Sequence, residues 1–149
     1  WKAGSRQMLP LDDDEARRQV EQISAKVLSN RKPPYALPGG LYDALSDSEG
    51  DVLLADNEEA RSADVMFRVL EGIDLHPAAA VATSTLIAAV RQNRIASNEV
   101  VMLNITGGGE EKFKHEKKLH YLKPSLVFDV NPDREEVKEQ IAGLYKYNF

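Results

Sequence analysis

Glu99-Val100-Val101-Met102-Leu103-Asn104-Ile105-Thr106-Gly107-Gly108-Gly109 is the stretch around which the chain is organised. Its first part is a nearly continuous apolar, β-branched run, the pattern of a strand buried on both faces. It stops at Thr106 and three glycines in succession. Glycine lacks a Cβ, so the backbone there can lie close to a ligand. A buried strand that ends in such a turn is where open α/β sheets bind ligands, outside the carboxyl ends of their strands. Thr106 places a hydroxyl, both donor and acceptor, at the tip. A plain turn without a ligand is the competing reading, because Gly-rich turns are common.

The remaining residues set the frame for that stretch. The chain has 149 residues, enough for one domain with a core. Hydrophobic residues make up 42% and charged residues 29%, values typical of globular proteins. A net charge of −5 with no dominant basic patch argues against nucleic acid or an anionic membrane as partner. With no cysteine, disulfides, thiolate catalysis and Cys-type zinc sites are excluded. No apolar segment is long enough to span a bilayer, and the cytoplasm is the expected location. The chain opens at Trp1 without an initiator methionine, which suggests a piece of something longer.

Residues 1–11 carry no periodicity and read as a connector. Asp12 to Glu15 suit an N-terminal cap and first turn, where carboxylates complement the helix dipole. Ala16, Val20, Ile23 and Val27 then mark one face of a helix reaching about Ser29. Pro33, Pro34 and Pro38 with Gly39-Gly40 make a rigid loop, and Leu41 to Leu45 a short helical turn. Asp51 to Ala55 reads as a strand. Asp56 and Glu59 have capping-box spacing at the head of a helix lined by Ala60, Ala63, Phe67 and Leu70, which Gly72 ends.

Pro77 starts the next helix, and Ala78 to Val90 is apolar on nearly every face. Its Thr83, Ser84 and Thr85 are expected to bond back to helical carbonyls. His76, at the helix entry, reads as a turn or capping histidine. Glu110 to Lys123 reads as a charged, solvated connector and Leu126 to Phe128 as a strand. Asn131 would cap a last helix with Pro132 at its first position, burying Val137, Ile141 and Leu144. Tyr145, Tyr147 and Phe149 form an aromatic tail.

This alternation predicts an α/β fold. There is no P-loop, no GxGxxG and no metal-ligand spacing, so the residues alone indicate an anion- or cofactor-facing glycine turn and no reaction.

A resemblance carries the reading further. Asp51-Val52-Leu53-Leu54, Asn57-Glu58-Glu59-Ala60, Glu71-Gly72-Ile73, Pro77-Ala78-Ala79-Ala80 and Leu103-Asn104-Ile105-Thr106-Gly107-Gly108-Gly109 follow in the order seen in pyridoxal-phosphate enzymes of fold type II, threonine synthases included. Within that class the chain most resembles the cysteate synthase family, chiefly through Asn30 to Leu45 (Asn-Arg-Lys-Pro-Pro-Tyr-Ala-Leu-Pro-Gly-Gly-Leu-Tyr-Asp-Ala-Leu) and Asn104 to Gly109. The resemblance covers about Ala3 to Pro132.

It implies the carboxy-terminal half of such an enzyme, with residues 1–149 forming part of the large cofactor-binding domain around a buried, mostly parallel sheet flanked by helices. The implied reaction joins O-phosphoserine to sulfite, giving L-cysteate and phosphate on a route to coenzyme M. The implied cofactor is pyridoxal 5′-phosphate, with Thr106 on its pyridine nitrogen and Gly107 and Gly108 beside the ring. Glu71-Gly72-Ile73 would lie near it. The family's Schiff-base lysine and phosphate-binding loop belong to the amino-terminal half, so neither Lys112 nor Lys114 takes that role. The implied partners are that half, the two substrates and further copies in a homo-oligomer. The 149 residues alone are expected to be inactive. Glu110 and Glu111 displace the lysine that follows Thr-Gly-x-Gly in the family, a departure at the turn itself. The alternatives are a threonine synthase-like enzyme, and a non-catalytic α/β domain that binds a small anion.

Overall fold

The computed structural model describes residues 1–8, 10–27, 29 and 33–146, with the backbone alone at Lys146. Asn30, Arg31 and Lys32 of the proline phrase, and Tyr147 and Phe149 of the aromatic tail, lie outside these. The chain divides into two compact units, Trp1–Lys117 and Lys118–Phe149.

The first unit holds five helices among its described residues: α1 (Asp13–Gln22), α2 (Leu41–Asp47), α3 (Asn57–Glu71), α4 (Pro77–Arg91) and α5 (Glu110–Glu116). Its centre is the pairing of α3 with α4. Ala60 and Ala63 on α3 and Ala79 and Ala80 on α4 are all buried. Small side chains at these positions let the helix backbones approach closely. Leu75, from the link between the two helices, joins Ala60, Ala79 and Ala80 in one cluster, with Phe67, Val81 and Ile105 packed against it.

Several helix ends follow their sequence signals. Asp12 caps α1 by accepting from the N–H groups of Asp14 at 3.1 Å and Glu15 at 2.9 Å. Asp56 and Glu59 form a reciprocal capping box on α3, each contact 2.8 Å. Gly72 ends α3 in the left-handed conformation at φ 74°. Thr83, Ser84 and Thr85 each donate to a carbonyl one turn back in α4, at 3.1, 2.9 and 2.9 Å. Removing the α3 cap by Asp56→Ala should cost about 1 kcal/mol, read as a lower denaturant midpoint at unchanged slope.

α1 is shorter than its periodicity predicts. The Asn57 side chain intercepts it: the amide nitrogen donates to Gln22 O at 2.8 Å, and the amide oxygen accepts from Ser24 N at 2.9 Å. Ile23 and Val27 consequently stay exposed. The proline loop is pinned to the first residues of the chain. The buried Tyr35 donates its hydroxyl to Ser5 O at 2.7 Å, Arg6 stacks 4.6 Å over the Tyr42 ring, and Arg6 pairs with Asp43.

The predicted sheet is absent among the described residues. Asp51 to Ala55, Glu99 to Gly109 and Leu126 to Phe128 form no strand, and the β-type pairing present is a single antiparallel bridge between Leu75 and Gly108. The parallel α/β architecture is therefore corrected to a helical one. Apolar, β-branched composition favours extended backbone, but a strand exists only where a second segment supplies its hydrogen bonds. Neither is the organising run buried on both faces: Val100 and Met102 are 100% and 92% exposed. Residues 110–116 correct a second expectation. The lysine-rich connector forms α5, because Gly109 and Asp74 satisfy its first turn.

In the second unit, α6 (Arg134–Lys146) begins after Asp133 rather than after Asn131. The Asp133 side chain accepts from Glu135 N and Glu136 N, both at 3.0 Å. Ile141 and Leu144, expected on a buried face, are 42% and 38% exposed.

Candidate functional site

The link Asp74-Leu75-His76 and the turn Thr106 to Gly109 lie against each other as two antiparallel backbones. His76 N donates to Gly107 O at 2.9 Å, and Gly109 N donates to Asp74 O at 2.7 Å. The three glycines follow from this approach. A Cβ on Gly108 would stand 2.4 Å from Asp74 O and 3.4 Å from Leu75 Cα. A Cβ on Gly107 would stand 3.2 Å from His76 Cβ. Gly109 has φ +74°, a region that side chains rarely adopt. Each glycine thus has a reason inside the protein. The side-chain-free faces of Gly107 and Gly108 meet the Asp74–His76 link, which periodicity could not reveal.

Alternation along the run decides where Thr106 lies. Leu103, Ile105 and Gly107 are half-buried, and Asn104, Thr106 and Gly108 are exposed, the two-residue repeat of extended chain. Thr106 therefore follows the outward row. A cavity of about 450 Å3 opens beside the turn, lined by Gly107, Gly108, His76, Asp74 and Lys114 among others, with Thr106 adjoining in sequence but not lining it. Of the residues expected at the site, the structure sets Gly107 and Gly108 on the cavity and Thr106 next to them on the surface. His76 occupies the cap position of α4, but its side chain makes no capping hydrogen bond.

Sequence reasoning missed the role of Asp74. It is 7% exposed, and its carboxylate accepts from Glu111 N at 3.2 Å and Lys112 N at 3.4 Å. Burial pushes its carboxyl up. The N–H groups of Glu111, Asp74 itself and Lys112, with the Arg68 charge, prevail and hold it below the usual carboxylate range. The available signal was an acidic residue between Gly72 and Pro77, which reads as an ordinary turn residue.

Ion pairs frame the same corner. Asp64 accepts Leu75 N at 2.7 Å and Arg68 Nε at 3.0 Å, and Arg68 also pairs with Glu111. These contacts raise the Arg68 guanidinium, Glu111 first. Lys114 pairs with Glu110, whose carboxyl is lowered by that lysine above all and also by His76. Nothing in this set resembles a metal centre: no group of three or more His, Cys, Asp or Glu able to hold a metal occurs among the described residues.

Asp74 gives the corner a pH dependence. Its folded-state carboxyl is depressed, so its contribution is complete above its unfolded value of about 3.9 and is lost as pH falls through the folded value. The amide protons of Glu111 and Lys112 should lose protection in that window before α3 and α4 melt, which an NMR pH titration would read.

The chain is 42% identical over 134 residues to the cysteate synthase of Methanosarcina barkeri, covering 89% of this chain and 32% of that protein. The chain resembles cysteate synthases. It is also 45% identical over 127 residues to the cysteate synthase of Methanocella paludicola, covering 85% of this chain and 30% of that one. For the cysteate synthase of Methanosarcina acetivorans the figures are 40% over 141 residues, 93% and 34%. The chain therefore spans about a third of the length of the curated cysteate synthases it matches. No family model matches it, and no solved structure does. No helix among the described residues is long and apolar enough to cross a membrane.

Proposed function

We propose that the chain is the carboxy-terminal, cofactor-facing portion of a pyridoxal-phosphate-dependent cysteate synthase, which converts O-phosphoserine and sulfite to L-cysteate and phosphate. One observation carries this: identity of 40–45% to cysteate synthases of three archaea over 85–93% of the chain. The threonine synthase-like reading and the anion-binding domain have no comparable support.

The residues present are compatible with the cofactor. An exposed Thr106 leads into the glycines of a hydrogen-bonded turn, and a cavity opens on Gly107 and Gly108. When bound, pyridoxal phosphate supplies an electron sink that lets a β-substituent leave and another enter. In this reading the Thr106 hydroxyl hydrogen-bonds the pyridine nitrogen. A hydroxyl is neutral and does not hold a proton there as a carboxylate would, so the ring stays a milder sink. Gly107 and Gly108 would give the ring a backbone edge, with Gly107 O held by His76 N and the following Gly109 N held by Asp74 O. No lysine of the chain is assigned the Schiff base: Lys114 lines the cavity but is paired with Glu110.

The test is product formation by the full-length protein. Incubated with pyridoxal phosphate, O-phosphoserine and sulfite, it should release phosphate and L-cysteate in equal amounts. Phosphate release that ignores sulfite would point to another acceptor. No release at all would overturn the proposal.

A further inference from the structure

We propose that Asp74 is a positioning residue for the cofactor-facing turn, gripping its carboxyl end with both its carbonyl and its carboxylate; the inference rests on the reading of Thr106 to Gly108 given above. Its carbonyl accepts Gly109 N at 2.7 Å and fills the space where a Gly108 side chain would stand. Its carboxylate accepts the N–H groups of Glu111 and Lys112, just past the turn. One residue thus fixes the backbone just past Thr106.

The carboxylate is suited to this grip. Two N–H groups arrive on different oxygens, Glu111 N on Oδ2 and Lys112 N on Oδ1. An asparagine amide would accept one and turn its own donors toward the other. The surroundings hold Asp74 in turn. Asp64 on α3 takes the N–H of Leu75, the next residue, at 2.7 Å, and Arg68 ties the same helix to Glu111. The glycine turn is therefore fastened to α3 through Asp74, and Thr106 inherits its position from contacts made by residues remote from it in sequence.

The experiment compares wild type, Asp74→Ala and Asp74→Asn in the full-length protein. Amide hydrogen exchange without cofactor reads the turn; titration with pyridoxal phosphate, followed by visible absorbance, reads the site. We expect Glu111 and Lys112 to exchange at least tenfold faster in Asp74→Ala. Cofactor affinity should drop severalfold with a displaced absorbance maximum, while circular dichroism stays native. Asp74→Asn, which keeps one acceptor, should fall between. It also serves as the comparison should the alanine variant fail to fold. Unchanged exchange would overturn the grip. Faster exchange with unchanged affinity and spectrum would overturn the positioning role. A wild type that binds no pyridoxal phosphate would overturn the cofactor reading and the positioning role with it, and the exchange data would then judge the grip alone.

Discussion

Gly108→Ala is expected to destabilise the chain by about 3 kcal/mol, at the upper end of what one inserted methyl costs in a packed site. The added Cβ would sit 2.4 Å from a main-chain oxygen, Asp74 O, which cannot rotate away as a side chain could. Relief requires the two backbones to part. That breaks the His76–Gly107 and Asp74–Gly109 hydrogen bonds and frees Leu75 from its bridge. Because Leu75 belongs to the core cluster with Ala60, Ala79 and Ala80, the damage should spread to the α3–α4 packing. Gly143→Ala supplies the contrast. Nothing lies within 4 Å of its Cβ position, and it sits inside α6, so alanine there should stabilise by up to about 1 kcal/mol. Chemical denaturation of both variants would check the pair. A neutral Gly108→Ala would show that the turn is loose.

Thr106→Ala should leave stability nearly unchanged, because the residue is exposed. Its effect should fall on the chemistry instead. Losing one hydrogen bond to the ring nitrogen should slow turnover about tenfold, the rate equivalent of roughly 1.4 kcal/mol, and should shift the cofactor's absorbance. Thr106→Ser keeps the hydroxyl and should restore both. Unchanged kinetics and spectrum in Thr106→Ala would refute the assigned role, whatever its melting temperature.

Both ends of α3 and the start of α4 were legible in the sequence because their signals are local. Asp56 with Glu59, Gly72, and Pro77 each act within a few residues, and the structure uses them all. The end of α1 was not legible, because Asn57, 35 residues downstream of Gln22, supplies the group that stops it. The sheet failed for a related reason. Val100 to Ile105 specify extended backbone, but a strand's partners are non-local, and the one bridge among the described residues is made by Gly108, past the apolar run, with Leu75. At the site, the glycine turn was visible as a special backbone, but its cause was not. A ligand and a neighbouring backbone both demand missing side chains, and only coordinates show that Asp74 and His76 occupy that space. Asp74 itself was invisible because its hydrogen bonds reach residues 37 and 38 positions away.

The most direct test of the account is the visible spectrum of the purified full-length protein with pyridoxal phosphate, before and after O-phosphoserine is added. The account predicts a protein-bound cofactor band that changes on addition of O-phosphoserine, and a displaced band in Thr106→Ala. A full-length protein with no visible band, or one whose band ignores O-phosphoserine, would contradict it.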